Sequence, residues 1–475
     1  LTFGDEKMAV YSIIKLSELE GAKRIDAEYY EPVFNSLKTL YKFNIRKLNA
    51  ISDIAYGTTP PGGIFEETGI PFVRSQNFIM GMVNKAEIVF CNSEFHEQNK
   101  KSAIRPGDIL FAAVGGTIGQ IAIVQDSIDE GNINQNIARV RILDSSINPY
   151  YAGLFFLSKY GQLQIFRFVT GNAQAYLNSF QMGSFKIPVL SKQIQDGLGL
   201  CFKKVEDFVE NSHSLYSQAA NLLLEELGLK DFKPKYKKTY TAKLSDAFFV
   251  HRIDAEYFQP AYEEVIEKLR ENNIELQPLR KFILSIQKGI EPGSENYQDE
   301  GKPFIRVSNL SKYGFTDRDQ KYLSEELYLQ LREAYEPKQG DFLLTKDATP
   351  GIAYVVKEQI EGVISSGILK LQVNESKINK EYLALCVNSL IGKVQIERDG
   401  GGSVILHWKP EQVKRLKIPL LPLSTQQKIA SLVQESHEGR RKAKELLEIA
   451  KKAVEIAIEN SEEEALKYIS KTVGN

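Results

Sequence analysis

Two stretches of the chain place apolar or small residues in alternating steps of four and three. The first runs through Ile194, Leu198, Cys201, Val205, Phe208, Ser212, Leu215, Ala219 and Leu222. The second runs through Ile429, Leu432, Ser436, Gly439, Ala443, Leu446, Ala450 and Ala453. This spacing predicts the a/d seam of a long helix. A helix over 194–227 is on the order of 50 Å long. Neither seam can stay in water, so each needs a partner. Pairing of the two seams is the expectation, with small residues on the second admitting bulkier ones on the first. Docking of each seam on its own globule is the alternative.

Ahead of each seam the period shortens. Pro71-Phe72-Val73-Arg74 and Pro303-Phe304-Ile305-Arg306 read as strands, as do Gly107 to Phe111 and Gly340 to Leu344, each launched by a Gly-Asp turn. Thr117-Ile118-Gly119 and Thr349-Pro350-Gly351 lead into apolar runs at Ile121 to Val124 and Ile352 to Val356. A helix is predicted to start at Asn148-Pro149 and again at Asn379-Lys380, and another at Phe34, Leu37 and Leu40, matched by Tyr262, Val265, Ile266 and Leu269.

The correspondence is an internal repeat. Arg24-Ile25-Asp26-Ala27-Glu28-Tyr29 returns letter for letter at Arg252 to Tyr257, an offset of 228, and Lys186-Ile187-Pro188 returns at Lys417-Ile418-Pro419, an offset of 231. Lys15-Leu16-Ser17 and Lys243-Leu244-Ser245 open the two copies. Between the copies lies Lys230-Asp231-Phe232-Lys233-Pro234-Lys235-Tyr236-Lys237-Lys238, a basic, Pro-broken connector that reads as a solvated linker or a phosphate contact.

At 475 residues, 43% hydrophobic and 25% charged, the chain has the size of two to four globular domains. No apolar run approaches the roughly 18 residues of a membrane span, and residues 1–19 lack the regions of a signal peptide, so a cytoplasmic protein with no membrane partner is expected. The chain opens with Leu rather than Met, as after an unusual start codon or processing. Cys91, Cys201 and Cys386 stand far apart and the five histidines show no ligand spacing, so neither a disulfide framework nor a metal is expected. A net charge of −1 is low for a protein that grips DNA alone. Positive charge must then be local or come from partner subunits.

Several motifs tempt toward catalysis. Asn148-Pro149-Tyr150-Tyr151 is similar to the loop with which amino-methyltransferases hold a flipped base, and Asp196-Gly197-Leu198-Gly199 faintly resembles a cofactor turn. The second copy reads Asn379-Lys380-Glu381-Tyr382 and Gln427-Lys428-Ile429-Ala430 at these places. An N-cap Asn followed by Pro explains the first copy without chemistry. Glu300-Gly301-Lys302 has nuclease-like spacing but no match in the first half, and Gly115-Gly116-Thr117-Ile118-Gly119 lacks the Lys of a phosphate loop. No catalytic residue is expected.

What remains are polar residues beside glycine-rich turns that differ between copies. Thr58 and Thr59 stand against Lys288; Arg74, Gln76 and Asn77 against Arg306, Ser308 and Asn309; Gln174 and Asn178 near Ser403 and His407. Side chains of these types read base edges, though ordinary loop polarity also accounts for any one of them. A shared scaffold with divergent loops fits two readers of different short sequences.

Together these features resemble the DNA specificity subunit of type I restriction-modification systems. The joint Lys417-Ile418-Pro419-Leu420-Leu421-Pro422-Leu423-Ser424-Thr425-Gln426-Gln427 is similar to the family's strand-to-helix joint. The first copy, from Lys186 to Ile194, lacks its second Pro and Gln-Gln. Gly57-Thr58-Thr59-Pro60 is similar to a family loop that the second half lacks. The resemblance implies an α/β (α+β) fold: two repeated globular target recognition domains separated by two long antiparallel helices forming a coiled coil, with pseudo-two-fold symmetry. The implied boundaries are 1–188 for the first domain, 189–228 for the first spacer helix, 229–243 for the linker, 244–419 for the second domain, 420–469 for the second helix and 470–475 for a tail. Each domain would read one half of a bipartite double-stranded DNA site, and the helix pair would set the spacer in this host-defence system. The chain itself would hold no cofactor. Two DNA methyltransferase (modification) subunits would bring S-adenosylmethionine, and motor-nuclease (restriction) subunits ATP and Mg. A self-contained DNA adenine methyltransferase and a two-headed protein-binding scaffold stay open as alternatives, and the bases read are not fixed by loop residues alone.

Overall fold

The computed structural model describes residues 13–16, 25–169, 176–400 and 407–473. The chain folds as two compact units. Unit 1 comprises Leu1–Phe208 with Lys442–Asn475, and unit 2 comprises Val209–Arg441.

In unit 1 a six-stranded sheet has the order Ser52–Tyr56, Ile137–Ile142, Ile109–Ala112, Ile121–Ile123, Met82–Val83, Phe78–Ile79. A four-stranded sheet orders Val89–Cys91, Ile70–Val73, Gly131–Ile133 and Ala103–Ile104, with Ile70–Val73 and Gly131–Ile133 parallel. Ile109–Ala112 and Ile121–Ile123 are buried at every position, as expected of runs without polar alternation. Unit 2 repeats the strand order with Ile283–Lys288, Ile368–Val373, Phe342–Thr345 and Ala353–Val355, and its second sheet again has a parallel pair, Lys302–Ile305 with Val363–Ile364. In each unit the Lys-Ile-Pro strand pairs antiparallel with a short strand near the start of the globule, Ile45–Lys47 or Leu276–Pro278. The predicted strands and helix starts are all present. The early helix is 3-10 over Pro32–Lys42 in unit 1 and an α-helix over Pro260–Glu271 in unit 2.

The long helices are Lys192–Glu226 and Leu423–Glu459. Each gives a segment to both units: the first half of the first and the second half of the second belong to unit 1, the other halves to unit 2. Within unit 2 the seams meet at Ser212 and Ser436, both fully buried, with hydroxyls 3.1 Å apart and the Ser436 hydroxyl donating to the Ser212 carbonyl at 2.7 Å. The a/d reading is too narrow beyond this point. Leu215 and Leu222 are only half-buried, while Tyr216, Leu223 and Leu227 join Ala219, Ile429 and Val433 in the core of the globule. A helix that must meet both another helix and a sheet needs an apolar stripe wider than two positions in seven. Docking on the globule and pairing of seams therefore occur together.

Between the seams of unit 2 lies an arginine that, among the described residues, pairs with no carboxylate. Arg440 is buried, its guanidinium 4.0 Å from the centre of the Tyr313 ring and 2.5 Å from His213 Nε2. Burial pulls its pKa down to about 10, against the pull of Tyr313. The ring face supplies part of the stabilisation that a carboxylate would give.

The second long helix stops at Glu459, short of the expected 469. The Ser461 hydroxyl accepts the Glu464 amide at 3.2 Å and starts a separate helix, Glu462–Val473, whose first turn holds Glu462, Glu463 and Glu464. A Ser cap and three acids at a helix N-terminus favour a new start over continuation. The connector after the first helix lies along unit 2: the Lys235 amide donates to Glu264 and the Tyr236 hydroxyl to Glu397, both at 2.9 Å. Arg252 of the duplicated segment forks onto Asp254 at 2.8 and 2.6 Å and donates to the Asp399 carbonyl at 2.8 Å. That copy is a tie within its unit. Its counterpart Arg24 lies outside the described residues.

Candidate nucleic-acid interface

In unit 1 five loops far apart in sequence are stitched together by backbone hydrogen bonds. Gly57 N donates to Ile137 O at 3.1 Å, Thr58 N to Ile133 O at 3.1 Å, Asn134 N to Val73 O at 3.1 Å, Ala113 N to Asn136 O at 2.8 Å and Leu177 N to Ala113 O at 3.0 Å. Unit 2 repeats the stitching. Gly289 N donates to Ile368 O at 3.0 Å, Ile290 N to Ile364 O at 3.0 Å, Ser365 N to Ile305 O at 2.8 Å, Lys346 N to Gly367 O at 2.8 Å and Trp408 N to Lys346 O at 2.7 Å. Because backbone rather than side chains makes these bonds, the loops can vary in sequence while holding their shape. The cluster joins 57–60, 74–77, 113–119, 134–136 and 176–178 in one unit, and 288–292, 306–309, 346–351, 365–367 and 407–409 in the other.

Gly57 and Gly289 are required by this approach. A Cβ on Gly57 would stand 2.1 Å from the Ile133 carbonyl oxygen and 2.2 Å from that of Asn134. One on Gly289 would stand 2.2 Å from the Ser365 oxygen. Glycine is thus the constant part of the loop, and the residues after it are free to differ.

The Arg-x-x-Asn turns behave otherwise than expected. Asn77 is fully buried: its Oδ1 accepts the Arg74 amide at 2.8 Å and its Nδ2 donates to Glu87 O at 2.9 Å. Asn309 is buried likewise, accepting the Arg306 amide at 3.0 Å and donating to Arg318 O at 2.7 Å. Both amides are spent on closing a turn and cannot face a base edge. Arg74 lies over Phe65 and donates to Glu87 O at 3.3 Å; Arg306 pairs with Asp319 at 2.9 Å. The shared letters of this motif are scaffold; the copies differ at Ser75 and Val307, which are half-buried, and at Gln76 and Ser308, which are exposed.

Asn178 is a helix cap, accepting the Gln181 amide at 2.9 Å while Gln181 Oε1 accepts its own amide at 3.0 Å. Thr58 is exposed, and the Thr59 hydroxyl bonds Gln135 Oε1. Lys288 is exposed at the end of its strand. His407 is 65% exposed with Nδ1 2.8 Å from Asp347 Oδ1, and Asp347 Oδ2 is 2.5 Å from Lys346 Nζ. Burial pushes the Asp347 carboxyl up, but Lys346 and His407 outweigh it and hold it below its ordinary value. Gln174 and Ser403 lie outside the described residues.

Sequence reasoning missed Gln135, Asp347 and Lys346, and passed over a tyrosine pair. Tyr56 and Tyr176 stack with ring centres 6.0 Å apart at 26°. The Tyr56 hydroxyl donates to Leu177 O, and burial, with Tyr176 beside it, raises that hydroxyl's pKa. The bridges Val114 to Tyr176 and Asp347 to His407 fill equivalent places. The polar run Asn134-Gln135-Asn136 was a visible signal; the tyrosine pairing was not.

The catalytic-looking motifs resolve as structure. Asn148 accepts the amides of Tyr150 at 3.0 Å and Tyr151 at 3.5 Å, and Asn379 those of Glu381 at 2.9 Å and Tyr382 at 3.2 Å. Tyr151 and Tyr382 donate to the carbonyls of Pro188 and Pro419 at 2.6 and 2.8 Å. Gln195 donates to Leu190 O and accepts Asn148 N, as Gln426 does with Leu421 O and Asn379 N. The first joint therefore has its working glutamine at Gln195, 231 positions before Gln426 and so in register with the Lys-Ile-Pro repeat. Lys302 of Glu300-Gly301-Lys302 pairs with Glu361 at 2.5 Å and Glu325 at 3.5 Å.

The family model for the type I restriction modification DNA specificity domain matches residues 41–212 and 282–449. The chain is 22% identical over 427 residues to a putative type I restriction enzyme MjaX specificity subunit from Methanocaldococcus jannaschii, covering 87% of this chain and 91% of that one. Among solved structures it is similar to a type I restriction-modification S subunit from M. genitalium, with 13% identity, a TM-score of 0.38 and coverage of 90% and 96%. It is also similar to the HsdS subunit from Thermoanaerobacter tengcongensis, with 14% identity, a TM-score of 0.29 and coverage of 88% and 97%.

Proposed function

The chain belongs to the family of type I restriction-modification DNA specificity subunits, and on that premise we propose that each unit reads one half of a split duplex site through its stitched loop cluster. The observation that carries this is the repeat of one set of backbone hydrogen bonds beneath different exposed side chains. Phosphate contacts position such a protein, and base-edge contacts from divergent loops supply the sequence. The long helices, each with a segment in both units, set the interval between half-sites.

The reading assigns no chemistry to this chain. Asn148 and Asn379, the residues nearest to a methyltransferase motif, are employed as caps. Modification subunits carrying S-adenosylmethionine would flip and methylate an adenine, and motor-nuclease subunits using ATP and Mg would cut. With a net charge of −1, the chain leaves much of the phosphate clamp to those partners.

The test is exchange. The full chain is expressed with its modification partner and methylated adenines are mapped by sequencing. Replacing residues 1–188 by another recognition domain should change one half-site and keep the other, and adding one heptad to both long helices should change only the interval. If both half-sites change together on the first exchange, the modular reading fails.

A further inference from the structure

The two loop clusters share a backbone and differ in charge. Segments 57–60, 74–77, 114–119, 134–136 and 176–178 of unit 1 contain one charged side chain, Arg74, which is turned to the Glu87 carbonyl and the Phe65 ring. Its exposed groups are the amides of Gln76 and Gln135 and the hydroxyl of Thr58, with the stacked Tyr176 ring 47% exposed. In unit 2 the place of Tyr56 is taken by Lys288, that of Tyr176 by His407 and that of Val114 by Asp347. Lys409, two positions after His407, is exposed. Glu291 is held by the Tyr297 hydroxyl at 2.8 Å, and Asp347 by Lys346 and His407, so both acids have partners within the unit.

These differences have a meaning in the major groove. A glutamine amide offers one donor and one acceptor, the complement of adenine N7 and N6; threonine methyls and tyrosine rings suit the thymine methyl. An ammonium offers donors only. Guanine alone presents two adjacent acceptors, N7 and O6, whereas adenine would set its own amino donor against the lysine. Lys288 and Lys409, both exposed, offer donors only.

We propose that the half-sites are chemically unlike: unit 2 reads a half containing a G·C pair whose guanine N7 and O6 accept from Lys288, with His407 beside it, while unit 1 reads a half specified by A·T pairs. This rests on the assignment of the loop clusters as the DNA-reading faces.

The experiment uses the full chain assembled with its modification subunits. Methylation mapping gives the bipartite motif, and exchange of residues 1–188 shows which half belongs to unit 2. That half is expected to hold a guanine whose replacement by 7-deazaguanine in a synthetic duplex weakens binding about tenfold or more. Lys288→Gln and His407→Ala, both at exposed positions, are expected to relax the motif at that pair and leave the other half unchanged. A unit 2 half made only of A·T pairs overturns the proposal. So does a Lys288→Gln complex that binds all duplexes more weakly, with a shallower salt dependence and an unchanged motif, because that is the behaviour of a phosphate contact. A map with no split motif at all overturns the proposed function as well.

Discussion

Asn77 and Gln76 are neighbours that should fail in opposite ways. Asn77→Ala removes one hydrogen bond from the Arg74 amide at 2.8 Å and one to the Glu87 carbonyl at 2.9 Å, at a fully buried position. Each of the two net bonds contributes about 1 kcal/mol, and a buried amide left unpaired costs a further ~1–3 kcal/mol, so the substitution should cost about 3–5 kcal/mol. Gln76→Ala at the exposed tip should cost under ~0.5 kcal/mol in stability. If Gln76 meets a base, it should lose ~1–3 kcal/mol of discrimination at one base pair of the unit 1 half-site. Urea unfolding of the chain followed by circular dichroism reads the first effect, and methylation mapping of the assembled complex the second. An Asn77→Ala chain that unfolds at the wild-type midpoint but reads a different motif would refute the assignment of the shared letters to scaffold. The same comparison at Asn309 and Ser308 checks it independently in unit 2.

Three further outcomes follow from the packing. Gly57→Ala forces a Cβ to within 2.1 Å of a carbonyl oxygen, so it should cost ~1–3 kcal/mol and blur recognition of the unit 1 half alone, read by unfolding and methylation mapping. Burial raises the Glu381 carboxyl above its ordinary value, and Lys357 offsets that in part. A carboxyl raised in the folded state favours folding at low pH and loses that advantage as pH rises through its unfolded value toward its folded one. Lys357→Met removes the counter-charge and should destabilise by about 3 kcal/mol near pH 7 and by less near pH 5, measured as urea midpoints across that range. Tyr382→Phe removes the 2.8 Å bond to the Pro419 carbonyl and should lower stability by about 1 kcal/mol, read from the same urea transition.

The sequence by itself determined the repeat, the strands, the helix starts and the long helices, because each is written in local spacing: period two or unbroken for buried strands, four-and-three for the rods, Asn before the helices. Comparing the two copies also read Asn148 and Asn379 as helix caps, and the structure places both there. Tertiary structure decided the rest. Arg74 and Asn77 looked like readers because they are polar and sit in a turn; only burial shows that Asn77 is spent on backbone groups. Leu215 and Leu222 fitted an a/d seam, but the globule claims the neighbouring face and buries Tyr216 and Leu223 instead. Asp347 and His407, 60 positions apart, and Tyr56 and Tyr176 become pairs only when the sheet brings their loops together. Spacing along a chain records which face of an element is apolar. It does not record what that face will meet, and a recognition surface is made of such meetings.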